Sequence, residues 1–334
     1  MDFPPKIVFF GTPKFAVPVL KLLYQNDYKI ILVVTQPDKP IGRKQILTPS
    51  PVKIEADKFD LRVIYDLKTG RFPPEVPCLP AGRDSPLAKR DYQAAVGIAA
   101  AYGQLIPQEI LDIFSKGCLN IHPSLLPKYR GPSPIQTAIL NGDKVTGVSI
   151  IKLDEKMDHG DVISNSQLAI SNSDTYQTLS RKLAEIGARL LIKTLPLYLE
   201  GRIKAVPQDD YQATFTKILK RQDGKIVWQK SATEIERQIR AYTPWPGSYS
   251  EFDLPARSQC FATAKAGIRN LKLGIKILQV KVSPKNFSVR PGNFCQENNQ
   301  LYIQCSKDSL LIKKLQPEGK KAISGQEFIN GYLS

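Results

Sequence analysis

Short apolar runs, each closed by a turn signal and followed by a helical pattern, organise the N-terminal part of the chain. Residues 6–10 form one such run ending at Gly11, and Thr12 with Pro13 predicts a helix that carries through Leu23. Residues 29–35 read KIILVVT, apolar on both faces, as in a strand of a parallel sheet covered by helices. Further strands are predicted at 61–64, 94–100, 146–153 and 161–170, with a short one through Cys118, Leu119 and Ile121. Ser50 and Pro51 suit an N-cap and first helical turn, residues 134–141 a helix stopped by Gly142. Residues 174–200 read as a long amphipathic helix, capped by Ser173 or Asp174 and ended by Gly201. Strands alternating with helices predict an α/β layer domain.

Three stretches break this rhythm. Residues 36–49 hold Pro37, Pro40, Gly42 and Pro49, so an irregular projecting loop is predicted there, made basic by Lys39, Arg43 and Lys44. Residues 66–92 hold Pro73, Pro74, Pro77, Pro80 and Pro86, which exclude a long helix. Residues 202–212 form a polar linker around Pro207. Beyond it, residues 235–241 read as a short helix, and from Tyr249 short alternating strands with Gly and Pro turns predict a small β-barrel. The expected division is a first domain at 1–201, a linker at 202–212 and a smaller basic domain at 213–334.

A length of 334 residues suits two cores, and 42% hydrophobic with 23% charged residues is the composition of an ordinary globular protein. Charge changes the picture more. The net +16 points to a polyanionic partner such as nucleic acid, and residues 208–334 carry +9 of it against +7 for 1–207. Five Cys without a CxxC spacing support neither a disulfide framework nor a zinc site, and no metal is predicted. No apolar run is long enough for a bilayer, and the N-terminus lacks the basic start and cleavage site of a secretory signal, so a cytoplasmic protein without a membrane partner is expected. The Gly-Thr-Pro at 11–13 is no GxGxxG fingerprint and indicates no dinucleotide site.

The candidate chemistry lies in residues 118–134, CLNIHPSLLPKYRGPSP. Asn120 and His122, two apart on a strand, point to the same side and can face one reacting atom. An Asn amide donates to a developing oxyanion, and a His near its ordinary ~6.5 exchanges protons at neutral pH, a pairing suited to acyl or formyl transfer. Pro123, Pro127, Pro132 and Pro134 predict a stiff loop with an apolar tip at Leu125 and Leu126. The chain has two His, and the second, His159, lies in a polar cluster at 153–161 where Asp158 and Gly160 predict a turn. A carboxylate from that cluster would orient the imidazole.

The phrases Asn120-Ile121-His122, Ser124-Leu125-Leu126-Pro127, Tyr129-Arg130-Gly131 and MDHGD at 157–161 resemble the formyltransferases that use 10-formyltetrahydrofolate. Similarity extends to VFFGTPKFAVPVL, to residues 35–53, to AYGQLIP at 101–107 and to RAYTPWPGS at 240–248. The last regions and the 35–53 loop narrow the likeness to the members that act on methionyl-tRNA. The resemblance implies a Rossmann-like formyl-folate domain followed by an OB-like β-barrel. It implies catalytic roles for Asn120, His122 and Asp158, and folate contacts from Ser124, Leu125, Leu126, Pro127, Gln104, Leu105 and Ile106. On their residues alone, the last three equally fit a plain strand-to-helix connection. It also implies that Arg43 and Lys44 stand at the tip of a tRNA-binding loop, which composition alone would read as solvated. The implied donor is 10-formyltetrahydrofolate, the acceptor initiator methionyl-tRNA, and a monomer is expected. The Pro-rich 66–92 departs from the family, where a compact helix would stand. Two other readings remain: a formyltransferase acting on a small amine, and a catalytically silent RNA-binding module.

Overall fold

The computed structural model describes residues 5–42, 44–65, 96–255 and 270–333. Arg43 and the Pro-rich 66–92 segment lie outside the described residues. Contacts divide the chain into two compact units, one of 1–134, 144–170 and 179–217, the other of 135–143, 171–178 and 218–334.

The first unit is built on a seven-stranded sheet of order β5-β2-β1-β6-β7-β8-β9. Its members are β1 (Lys6–Gly11), β2 (Lys29–Val34), β5 (Val63–Ile64), β6 (Val96–Ala100), β7 (Cys118–His122), β8 (Val145–Lys152) and β9 (Val162–Ala169). The five strands from β5 to β7 run parallel, and β8 and β9 turn antiparallel. Val8, Phe10, Leu32 and Val34 pack with Ala99, Tyr102 and Phe114 in one core, and the alternate Ile7, Phe9 and Val33 are fully buried too, so these runs are apolar on both faces. The chain steps outward from β1 through β2 to β5 and then returns to β6 on the other side of β1. The order therefore reverses between β1 and β6, and in open parallel sheets a ligand crevice lies beyond the strand ends at such a point.

Helix α1 (Val17–Gln25) starts later than the Thr12-Pro13 pair predicts. The Thr12 hydroxyl is taken by the sheet instead: it donates to Tyr102 O at 2.9 Å and accepts from Gln36 N at 3.4 Å. Helix α2 (Pro51–Lys58) starts as expected, with Ser50 Oγ accepting from Lys53 N at 3.0 Å. After the short α3 (Gln108–Leu111) and α4 (Pro134–Asn141), the long α5 (Tyr176–Leu199) follows. Its first turn is capped by Thr175, whose Oγ1 accepts from Thr178 N at 3.3 Å, rather than by Ser173 or Asp174. Asp174 is instead bonded to Ser171 N and Thr178 Oγ1.

Residues 36–49 are not irregular throughout. Strands β3 (Lys39–Ile41) and β4 (Ile46–Thr48) pair antiparallel as a separate hairpin, closed by a turn in which Gln45 N donates to Gly42 O at 3.2 Å. Pro40 is tolerated because both strands of an isolated ribbon are edges.

In the second unit, α6 (Ala232–Tyr242) packs on a curled antiparallel sheet of β10 (Ser248–Pro255), β11 (Asn270–Ser283), β14 (Ser309–Pro317), β13 (Gln300–Gln304) and β12 (Phe294–Glu297). A sixth strand, β15 (Ile323–Ser324), pairs with β14, and α7 (Gly325–Phe328) follows it. The sheet forms a half-barrel around Ile275, Ile277, Leu301, Ile303 and Phe328. Its strands are not all short, since β11 runs for 14 residues.

Candidate active site

Strand β7 carries the candidate residues to the carboxyl end of the sheet. Leu119 and Ile121 are fully buried, which turns the alternate positions Asn120 and His122 toward the opposite face. The carboxylate comes from the β8–β9 connection, where Lys152 N donates to Asp161 O at 2.9 Å and the chain folds tightly between. Asp158 sits there at φ 49°, a left-handed conformation that costs a residue other than glycine about 1 kcal/mol. Gly160 is required two residues on, because a Cβ would lie 1.8 Å from Lys152 O.

These elements bring Asn120, His122 and Asp158 together. Asn120 Nδ2 donates to Asp158 Oδ1 at 3.3 Å, His122 Nδ1 lies 3.5 Å from the same oxygen, and Gly131 N donates to Oδ2 at 2.8 Å. His122 Nε2 is 2.9 Å from Tyr129 O. A carbonyl only accepts, so Nε2 carries a proton and Nδ1 is the nitrogen turned to the carboxylate. The Asn120 amide has a second hydrogen beyond the one given to Asp158, available to an oxyanion. His122 is buried and Asp158 nearly so, a setting in which charge interactions are strengthened.

The loop after His122 is tied down by hydrogen bonds, and the leucines expected at its tip are turned inward. Leu126 is buried, its N–H donating to Ser149 Oγ at 3.0 Å, and Ser149 in turn donates to Ser124 O at 2.8 Å. Ser124 Oγ donates to Lys128 O at 2.6 Å. Leu125 lies against Gly147 of β8, where a Cβ would come within 2.5 Å of its Cδ2. Leu126 and Pro127 line an open cleft of about 340 Å³ together with residues 162–165 and 206–209.

Gln104, Leu105 and Ile106 stand one strand over. Register pairs Ala99 with Asn120, so the loop that leaves β6 at Ala101 departs beside His122. Among the described residues none bonds to a main-chain group of 104–106, which leaves three successive peptide units open to a ligand at the crevice. Tyr102 beneath them is buried against Phe10. Lys44 is elsewhere, exposed in the β3–β4 turn.

A second layer of polar side chains surrounds this constellation. Arg130, quoted only as part of a phrase, is buried and donates from Nε to Gln208 Oε1 at 3.1 Å and from Nη2 to Asp210 Oδ1 at 2.7 Å. The guanidinium holds the Asp210 carboxyl below its ordinary range. Asp210 Oδ2 lies 3.4 Å from His159 Nε2, and His159 Nδ1 is 2.6 Å from Asp154 Oδ2. Gln208 Nε2 reaches Asp158 O at 2.9 Å and Gly160 O at 2.8 Å. The linker reading of 202–212 hid the pairing of Val206 with Val162 of the β9 edge, and the boundary at 213 hid Thr214 and Thr216, which bond to the main chain of Tyr129 and Arg130 within the first unit. Cys118, on the same strand as the pair, is buried and its thiol is pushed up by burial, so it is no nucleophile at neutral pH.

An amide, an imidazole and a carboxylate gathered at a strand end beside open peptide groups are the equipment of acyl-group transfer to an amine. Residues 5–195 match the family model described as formyl transferase, and residues 218–333 that of the formyl transferase C-terminal domain. The chain belongs to the formyl transferase family. It is 37% identical, over 98% of its length and 94% of the relative's, to a Halalkalibacterium halodurans protein named methionyl-tRNA formyltransferase. A Bacillus cytotoxicus protein of the same name is 36% identical over 98% of this chain and 95% of its own. Among solved structures, the N-formyltransferase of Helicobacter canadensis, in complex with folinic acid and dTDP-3-aminofucose, matches with a TM-score of 0.62 at 17% identity. It covers 93% of this chain and 99% of that one, a likeness of fold.

Proposed function

We propose that this chain transfers the formyl group of 10-formyltetrahydrofolate to the amino group of methionine on initiator tRNA. The observation that carries the reading is the convergence of Asn120 and His122 on Asp158, one strand from the open peptide groups of 104–106. The free amine attacks the formyl carbon and gives a tetrahedral oxyanion. Asn120 donates its second amide hydrogen to that oxygen. His122, fixed by Tyr129 O and paired with Asp158, stabilises the developing charge and with Asp158 helps move the amine proton toward the leaving nitrogen. Collapse releases formylated amine and tetrahydrofolate. Gln104, Leu105 and Ile106 take the pterin edge, and Ser124, Leu125, Leu126 and Pro127 shape the wall beside it.

The acceptor reading draws support from two surfaces. The hairpin of β3 and β4 raises Ile41, Ile46 and Leu47, all more than half exposed, with Lys39 and Lys44 beside them, and Arg43 belongs to the same turn in sequence. On β11, Lys272 and Lys276 are exposed on one face while Ile275 and Ile277 are buried on the other. We assign catalysis to the first unit, whose contacts run on through residue 217, and nucleic-acid binding largely to 218–334. The enzyme would act in the cytoplasm as a monomer; among the described residues no helix is long and apolar enough to cross a membrane. Radiolabelled formyl transfer to charged initiator tRNA, compared with charged elongator tRNA and free methionine, tests the reading. Transfer confined to the initiator supports it, and transfer to free small amines instead overturns it.

A further inference from the structure

Asp158 takes a left-handed conformation that nothing in its own side chain secures, because both carboxylate oxygens are engaged with Asn120, His122 and Gly131. What faces the backbone of that turn is Gln208. Its Nε2 donates to Asp158 O and Gly160 O, at 2.9 Å and 2.8 Å, so one amide spans the turn on both sides of His159. Its Oε1 accepts from Arg130 Nε at 3.1 Å. Carbonyls only accept and a guanidinium only donates, so the amide has a single workable orientation. Arg130 is itself buried and anchored to Asp210, and its neighbour Gly131 gives Asp158 Oδ2 its main-chain hydrogen bond. The turn is thereby gripped twice, by Gln208 at its backbone and by Gly131 at its carboxylate, and Arg130 ties the two grips together.

We infer that Gln208 is a positioning residue for formyl transfer: it clamps the Asp158–Gly160 turn so that the carboxylate meets His122 and Asn120. The inference rests on the proposed role of Asp158. Misplacing a reacting group by about 1 Å costs up to about a hundredfold in rate, so loss of the clamp should act on turnover far more than on donor binding.

Two substitutions separate this from a mere anchoring role for the 206–210 segment. Gln208→Leu removes both ends of the clamp. Gln208→Glu keeps an acceptor for Arg130, and strengthens it, but sets a carboxylate against two carbonyl oxygens. An anchoring role predicts that Gln208→Glu is benign. The clamp predicts that both variants lose about ten- to a hundredfold in kcat, with KM for the folate donor within about twofold of the parent. Donor binding by fluorescence and the thermal midpoint confirm that the variants are folded. The double variant Gln208→Leu with Asp158→Asn should lose no more than Asp158→Asn alone. A parental kcat for Gln208→Glu, or additive losses in the double variant, overturns the clamp while an impaired Asp158→Asn leaves the active-site reading standing. A parental rate for Asp158→Asn overturns that reading and the clamp with it.

Discussion

Asn120 and His122 converge on one atom: Asn120 Nδ2 lies 3.3 Å and His122 Nδ1 3.5 Å from Asp158 Oδ1. The strand's two-residue repeat turns both toward the same carboxylate, and the charge a tetrahedral intermediate develops would fall between an amide hydrogen and an imidazole. Asn120→Ala should therefore lower single-turnover formyl transfer by about 10²-fold or more, with folate binding largely retained. An unchanged single-turnover rate would remove Asn120 from the chemistry.

The two nearby acidic residues Asp158 and Asp154 have different partners. Asp158 meets Asn120 and the buried His122, whereas Asp154 holds His159 and its own turn, accepting from Lys156 N at 3.0 Å. Asp158→Asn should impair kcat well beyond Asp154→Asn. Equal losses measured on charged initiator tRNA would mean that the cluster acts only as a structural turn.

Gly160 allows the close approach on which that turn depends. A methyl group at this position would meet Lys152 O at 1.8 Å, and backbone, unlike a flexible side chain, has nowhere to go. Gly160→Ala should destabilise the protein by about 3 kcal/mol, at the high end for single changes, and depress activity in the fraction that folds. Thermal and urea unfolding check it; a parental midpoint would show that the turn yields.

How much of this was legible follows from where the information sits along the chain. The buried strands announced themselves because both faces are apolar, and α2 announced its start because Ser50 and Pro51 are adjacent. That Asn120 and His122 share one side was legible from strand periodicity, whereas their chemical role came only with the 153–161 cluster and the family resemblance. The β3–β4 hairpin was not, since Pro40, Gly42 and Pro49 are the usual marks of a loop, and only pairing of Lys39 with Thr48 and Ile41 with Ile46 makes strands of these short segments. Thr12 carried a helix-start signal that a tertiary bond to Tyr102 O overrode. Gln208 gave no signal at all: its partners lie 48 to 78 residues away, and no local pattern encodes them.

Acid stability of the second unit should follow the capping box of α6. Glu234 accepts from Ser231 N and Oγ, and those hydrogen bonds, with Ser231 Oγ first, hold its carboxyl below the ordinary 4.5. A depressed folded-state pKa contributes stability that is present above about 4.5 and is lost as pH falls through the lower folded value. Glu234→Gln should thus lower the thermal midpoint at pH 7, and the gap to the parent should close on acidification below 4.5. A gap independent of pH would exclude the charged cap as its source.

The hairpin separates the two acceptor readings. As a solvated ribbon, loss of Arg43 and Lys44 would matter by less than about 0.5 kcal/mol, the usual range for exposed charges. Yet solvent does not explain why Ile41, Ile46 and Leu47 are all exposed on one small ribbon that, among the described residues, no larger sheet extends. Apolar side chains flanked by lysines suit a partner offering both stacked bases and phosphates. Each phosphate contact adds up to about 0.9 to the slope of log affinity against log salt on a duplex, and nearer 0.7 on a single strand. The double variant Arg43→Ala, Lys44→Ala should weaken tRNA binding and flatten that slope by roughly one to two units. Folate binding should not move, because the hairpin is a sheet of its own and the open peptide groups of 104–106 lie in the loop that leaves β6 of the seven-stranded one. Titrating tRNA at several salt concentrations, with folate binding measured beside it, gives both numbers. Parental affinity and slope would free the hairpin of any role in tRNA binding and shift the balance to a small-amine acceptor.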